Sequence, residues 1–148
     1  MQPSAAWLLR AAGGVRFAVA PHQMVGYEIG PRCQPVPLAQ AHCQHLAFWR
    51  ESLVPTFDLA RLFTAGAEAS RSALGILAYQ SRAREPLDYL GVWLEAAPGK
   101  IVVTDEQACE LPSTWCEAPL AELALACFSH SDTPVPVLNV GQLARKLS

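Results

Sequence analysis

The chain has 148 residues, of which 51% are hydrophobic and 16% charged, and its formal net charge is −2. That length suits one domain, and so apolar a composition argues against disorder and needs no metal or disulfide to complete a core. No run of Lys and Arg marks a phosphate-binding face, and no apolar run reaches the roughly 18 residues of a membrane-spanning helix, so neither nucleic acid nor membrane insertion is expected.

The first dozen residues read as a loose arm or a single helical turn, ended by Gly13-Gly14. The SAAWLLRAA stretch lacks the basic start of a signal peptide, and Arg10 interrupts its apolar core. In residues 15–20, Val15, Phe17 and Val19 alternate with Arg16 and Ala18, which predicts a strand. A turn at Pro21-His22 leads to a second strand over 23–29, making a hairpin, with Gly26 marking a bulge or bend. Pro35 and Pro37 keep the next piece extended and bar it from the centre of a sheet. Residues 38–45 predict one or two helical turns, and 46–49 with 53–57 a second hairpin turning at Arg50, Glu51 and Ser52.

Asp58 is a good N-cap for a short helix over 59–63, and the small, polar stretch 64–72 reads as a linker. Strands follow at 74–79, 87–94 and 101–103, with a polar loop over 80–86 and a turn at Pro98-Gly99. Residues 119–128 carry helical propensity, yet they precede a hairpin-like stretch at 129–133, so helix and strand both remain open, with strand favoured from Leu123 onward. A strand at 135–138, a cap at Asn139 and a helix over 140–147 close the chain; Arg145 and Lys146 suit the helix's negative end.

The chain resembles itself at one place. Residues 54–62 read VPTFDLARL and residues 135–143 read VPVLNVGQL, 81 positions later. In each copy a proline sits early in a strand, apolar residues fill inward positions, an Asp or Asn caps a short helix, and a final Leu packs that helix back. The repeat predicts two similar β subdomains, each sealed by a short helix.

These segments also resemble a known family. In CheW-like domains an Arg-Gly turn precedes a strand and helix cap reading roughly V-P-V-I-D-L. Here Arg50 falls on the arginine, and Val54, Pro55, Asp58 and Leu59 on the strand and cap. Residues 90–95 (LGVWLE) are similar to a later strand of the family, residues 135–143 to its closing strand and helix, and residues 15–28 to its opening hairpin. The resemblance implies a mainly β fold of two small SH3-like, five-stranded β-barrels packed together, with short helices after strands. It implies a 1–14 N-terminal arm and one CheW-like domain over 15–148, built from subdomains at about 15–70 plus the C-terminal helix and about 73–138. It implies a non-enzymatic scaffold without cofactor, and the cysteine usage with no signal peptide or membrane span implies a cytoplasmic location. Its partners would be the cytoplasmic tip of a chemoreceptor, the regulatory domain of a chemosensory histidine kinase, and other CheW-like proteins. The family's glycine is Glu51 here, its later Asp is Glu95, and Ala60 stands where an arginine often follows the Asp-Leu pair. These departures point to a divergent or auxiliary member, such as those of type IV pilus chemosensory systems.

Trp and Arg are enriched at binding hot spots, so Trp49, Arg50 and Glu51 form the candidate partner-binding patch. Trp49 has a second reading, as a plug between the barrels. Phe48 and Trp49 cannot both face inward on a regular strand, so one of them faces outward. A rival reading is a small metal- or thiol-dependent enzyme using Cys33, His42, Cys43 and His45, although these lack the paired spacing of a zinc site. A third is a degenerate domain that only self-associates or caps an array. The five cysteines are odd in number and irregular in spacing, unlike a secreted disulfide framework. Cys109 and Cys116 flank Pro112 but are expected reduced, Cys127 reads as a core residue, and Ser129, His130 and Asp132 read as a turn rather than a triad.

Overall fold

In β1 (Ser4–Arg10), Ala6 and Leu8 turn to one buried cluster while Trp7 and Leu9 turn to another. A strand buried on both faces has no polar–apolar alternation, which is why this stretch reads from sequence as an arm. The computed structural model describes residues 3–40, 42–63, 73–116 and 120–145. The linker expected over 64–72 lies outside these. Far from hanging loose, β1 pairs antiparallel with β2 (Arg16–Val19) on one side and β9 (Gly99–Val103) on the other.

The remaining strands are β3 (Met24–Ile29), β4 (Cys33–Pro35), β5 (His45–Trp49), β6 (Ser52–Phe57), β7 (Ala73–Tyr79), β8 (Asp88–Leu94), β10 (Ala124–His130) and β11 (Thr133–Leu138). Short helices are α1 (Leu59–Phe63), α2 (Ser113–Cys116) and α3 (Val140–Ala144). Two curled sheets result, ordered β10-β11-β2-β1-β9 and β3-β7-β8-β6-β5-β4. The protein is thus mainly β, as the sequence predicts.

The expected hairpin over 15–29 does not form. A single 3-10 turn, Pro21–Gln23, carries the chain from one sheet to the other, and the Gln23 side chain accepts from the Ala20 N–H at 3.2 Å. Both edges of β2 are occupied, by β1 and β11, so β3 pairs with β7 instead. Nor do the sheets divide near residue 70. The first takes residues 4–19, 99–103 and 124–138, and the second takes 24–57 and 73–94. The bulge anticipated at Gly26 is present, as a register slip between Met24 and Gly26. A Cβ there would stand 3.0 Å from Trp49 Nε1 and 3.3 Å from Ile76 Cβ, so any side chain would have to push these neighbours back by a few tenths of an ångström.

The described residues of 38–45 form no helix. Leu38 adopts φ 58° and is fully exposed, and the backbone groups around it bond outward: Val36 N–H to Gln44 O and Asp58 N–H to His42 O, each at 2.8 Å. Prolines at 35 and 37 hold the approach extended, and helix propensity cannot compete with those partners. The ambiguous stretch near 120 resolves into a 3-10 turn, Leu120–Leu123, followed by β10.

The repeat is real in three dimensions and longer than its sequence match. β5–β6–α1 and β10–β11–α3 are both hairpins followed by a short helix. Their turns, Arg50-Glu51 and Ser131-Asp132, lie 81 residues apart, and all four residues have φ between 46° and 65°. The second strand of each unit makes a parallel pairing in its sheet, Thr56 opposite Gly91 and Val137 opposite Ala18. Asn139 accepts from Gln142 N–H at 3.2 Å, and Asp58 pairs with Arg61 at 3.3 Å. Each helix reaches across: α3 packs on β7 of the other sheet, and α1 meets the Ala12–Gly14 turn after β1. Leu59, Val140 and Leu143 therefore join Leu9, Phe17, Phe57 and Leu77 in one core shared by both sheets.

Candidate interaction surface

Strict alternation along β5 and β6 separates two sets of side chains. Ala47, Trp49 and Val54 point into the second barrel with Leu74, Ile76 and Trp93. On the opposite face Phe48 pairs with Leu53 and Leu46 with Pro55. Phe48 is 48% exposed and Leu53 50%, while Leu46 and Pro55 are half-buried. The guanidinium of Arg32 stands 5.8 Å from the Phe48 ring centre. Phe48, Leu53, Leu46 and Pro55 thus form an apolar patch with a cationic neighbour.

The expectation of an exposed Trp49 is corrected. Its ring is 7% exposed, lies 5.0 Å from the Tyr89 ring at 54°, and fits against Gly26. It does not plug the space between the sheets either; it belongs to the interior of the second barrel. Of the two aromatics, Phe48 faces out. Arg50 and Glu51 are exposed at the hairpin tip, and the Arg50 guanidinium stacks on Trp49 at 4.7 Å. That cation–π contact orients Arg50 from below.

Sequence reasoning missed Leu53 and Arg32. It assigned three residues to the turn, whereas the turn has two, and the two-residue turn sets Phe48 opposite Leu53. Positive φ at both Arg50 and Glu51 is the type I′ geometry, which favours Asn-Gly. The backbone therefore keeps the shape a glycine would give it, and only the Glu51 side chain is added. Glu51→Gly is expected to raise stability by about 0.5–1 kcal/mol, the relief of left-handed strain less the entropy glycine gains when unfolded. Urea denaturation with unchanged m-value checks this.

The fold itself does not demand the apolar patch. In the other copy of the repeat, 81 residues on, the positions of Phe48 and Leu53 are taken by Ser129 and Pro134, again directly opposite each other. One hairpin is thus apolar outside where its structural twin carries a hydroxyl and a proline.

The rival cluster is dispersed. Cys43 is buried, His42 stacks on Phe57 at 6.3 Å, and Cys33 and His45 occupy different rungs of the β4–β5 ladder. Among the described residues no three His, Cys, Asp or Glu side chains come together to hold a metal ion. Cys116 donates toward the carbonyls of Leu111 and Pro112, and it is Cys127, not Cys116, that neighbours Cys109. Ser131 and Asp132 are the two-residue turn between β10 and β11, as the sequence suggests.

Burial raises the Cys43 thiol, burial and then the Asp88 charge raise the Tyr79 hydroxyl, and Cys127 is pushed up to about 12, chiefly by burial. A raised folded-state value means the folded chain holds these protons longer than the unfolded chain does. Their contribution is complete below the unfolded values and is lost as pH rises through the folded ones. Stability is therefore expected to fall from about pH 9 upward, and Cys127→Ala to flatten that fall. Urea midpoints measured across pH 7 to 11 check this.

The sequence matches no protein-family model and no curated protein. The structure matches the scaffolding protein TtCheW from Thermoanaerobacter tengcongensis with a TM-score of 0.72 at 12% identity, over 95% of this chain and 86% of that one. The fold is CheW-like. The two curled sheets correspond to the two SH3-like barrels of that fold. At 12% identity the likeness rests on the path of the backbone, which the repeat and its crossing helices reproduce independently.

Proposed function

We propose that this chain is a non-enzymatic adaptor of bacterial chemosensory signalling, joining a chemoreceptor to the regulatory domain of a histidine kinase. The CheW-like fold carries this reading, since the neighbour is a scaffolding protein. The Phe48–Leu53 face supplies the contact. Exposed aromatic and aliphatic groups beside arginine make a binding hot spot, and a rim of Arg32, Arg50 and Glu51 gives it orientation. Trp49 serves from inside, holding Arg50 in place. Glu51 adds a negative charge at the tip where the family has glycine, so partner choice here depends on charge as well as on backbone shape. The protein acts in the cytoplasm; among the described residues no helix is long and apolar enough to cross a membrane. A divergent role in a type IV pilus system accords with the departures at Glu51, Ala60 and Glu95.

Calorimetric titration of the folded chain with the regulatory domain of the chemosensory kinase from the same genome tests the proposal. Saturable binding is expected. Absence of binding to that domain, and to the receptor tip, overturns it.

A further inference from the structure

The free edge of β10 is covered by a segment that runs antiparallel to it. The 3-10 turn Asp105–Gln107 is capped by Thr104, whose N–H donates to Gln107 Oε1 at 2.8 Å. From there Gln107 Nε2 donates to Ser129 O at 3.0 Å, Ala108 pairs with Phe128, and Cys109 N–H donates to Cys127 O at 3.0 Å. This register puts the Cys109 and Cys127 sulfurs 3.4 Å apart. A bond needs an approach of only about 1.4 Å more, within reach of small side-chain rotations. The contacts of Gln107, Ala108 and Cys109 fix the register of the two backbones, which brings the pair together.

We propose that Cys109 and Cys127 are an oxidant-responsive pair whose disulfide locks the 105–109 segment across the edge of the first barrel. The two thiols differ in access. Cys127 is 8% exposed and Cys109 is half-buried, so Cys109 meets the oxidant first. A cavity of about 300 Å³, lined by Ala18, Val103, Ala108, Ala126, Cys127 and Phe128, reaches Cys127 from the other side. The oxidant is a low-molecular-weight disulfide. The Cys109 thiolate attacks one of its sulfurs, forming a mixed disulfide and releasing one thiolate. Cys127 then gives its proton to that released thiolate and attacks the Cys109 sulfur, expelling the second small thiolate, which takes a proton from water in place of the one Cys109 lost. In sum two protein thiols are oxidised and one small disulfide is reduced to two thiols. Burial holds the Cys127 thiol protonated, so the first attack falls to Cys109. The closed bond links residues 109 and 127 and fixes the 105–109 segment against β10.

The test incubates the full chain with oxidised glutathione and counts thiols after denaturation. The five thiols are expected to fall to three, with no retained glutathione. Cleavage after glutamate separates Cys109, before Glu110, from Cys116 and from Cys127, beyond Glu122, and the cross-linked fragments should contain Cys109 and Cys127. Cys109→Ser, at a half-buried site, should abolish the cross-link, and Cys127→Ala should leave glutathione on Cys109. Amide exchange at residues 107–109 should slow on oxidation. Five surviving thiols, a cross-link to another cysteine, or loss of two thiols in Cys109→Ser overturns the proposal.

Discussion

Deleting residues 1–10 is expected to unfold the protein, and Leu9→Ala alone to cost about 2–5 kcal/mol. Leu9 is fully buried in the core that both sheets share, beside Phe17, Phe57 and Leu143. On the other face of the same strand Ala6 and Leu8 line the interior of the first barrel with Phe128 and Val135. Removing β1 strips the hydrogen-bonding partner from β2 and β9 together and leaves β9 with no neighbour in its sheet. Far-ultraviolet circular dichroism of the truncated chain, and urea denaturation of Leu9→Ala, measure the two effects. A truncated chain that still unfolds cooperatively near the parent's midpoint would show that β1 is dispensable.

Phe48 and Trp49 are expected to respond in opposite ways although they adjoin. Trp49→Ala should cost about 3–5 kcal/mol, because the ring fills the second barrel between Tyr89 and Gly26. It should also release Arg50 from its stack. Phe48→Ser with Leu53→Ser should change stability by less than about 1 kcal/mol, since both side chains are half in solvent and the twin hairpin tolerates Ser129 and Pro134 there. The same double variant should weaken kinase or receptor binding by at least about tenfold, corresponding to loss of a hot-spot contact. Calorimetry and urea denaturation on one set of proteins separate the outcomes. Undiminished binding by the folded double variant would remove this face from the interface while leaving the adaptor reading to be judged on the parent chain.

Much of this is legible in the sequence. The Val-Pro pattern at 54 and 135 located both strand–cap–helix units, because a cap residue, a proline and an apolar period are local signals. Gly26 announced its bulge for the same reason. The candidate surface was half legible. Alternation required Phe48 and Trp49 to part, but which one went inward depended on Tyr89 and Gly26, residues far from them in sequence. Leu53 joined the surface through the turn, whose two positive-φ residues carry no glycine to reveal them.

By itself the sequence determined a β-rich chain with a repeated hairpin-and-helix unit and the alternation that divides inner from outer side chains. Those properties arise from residues within a few positions of each other. Tertiary structure alone decided that β1 is an interior strand, that the two sheets interleave along the chain, that Trp49 is core and that Cys109 meets Cys127. Each of these depends on partners brought together from distant segments, and burial on both faces erases the alternation from which a sequence betrays its strands.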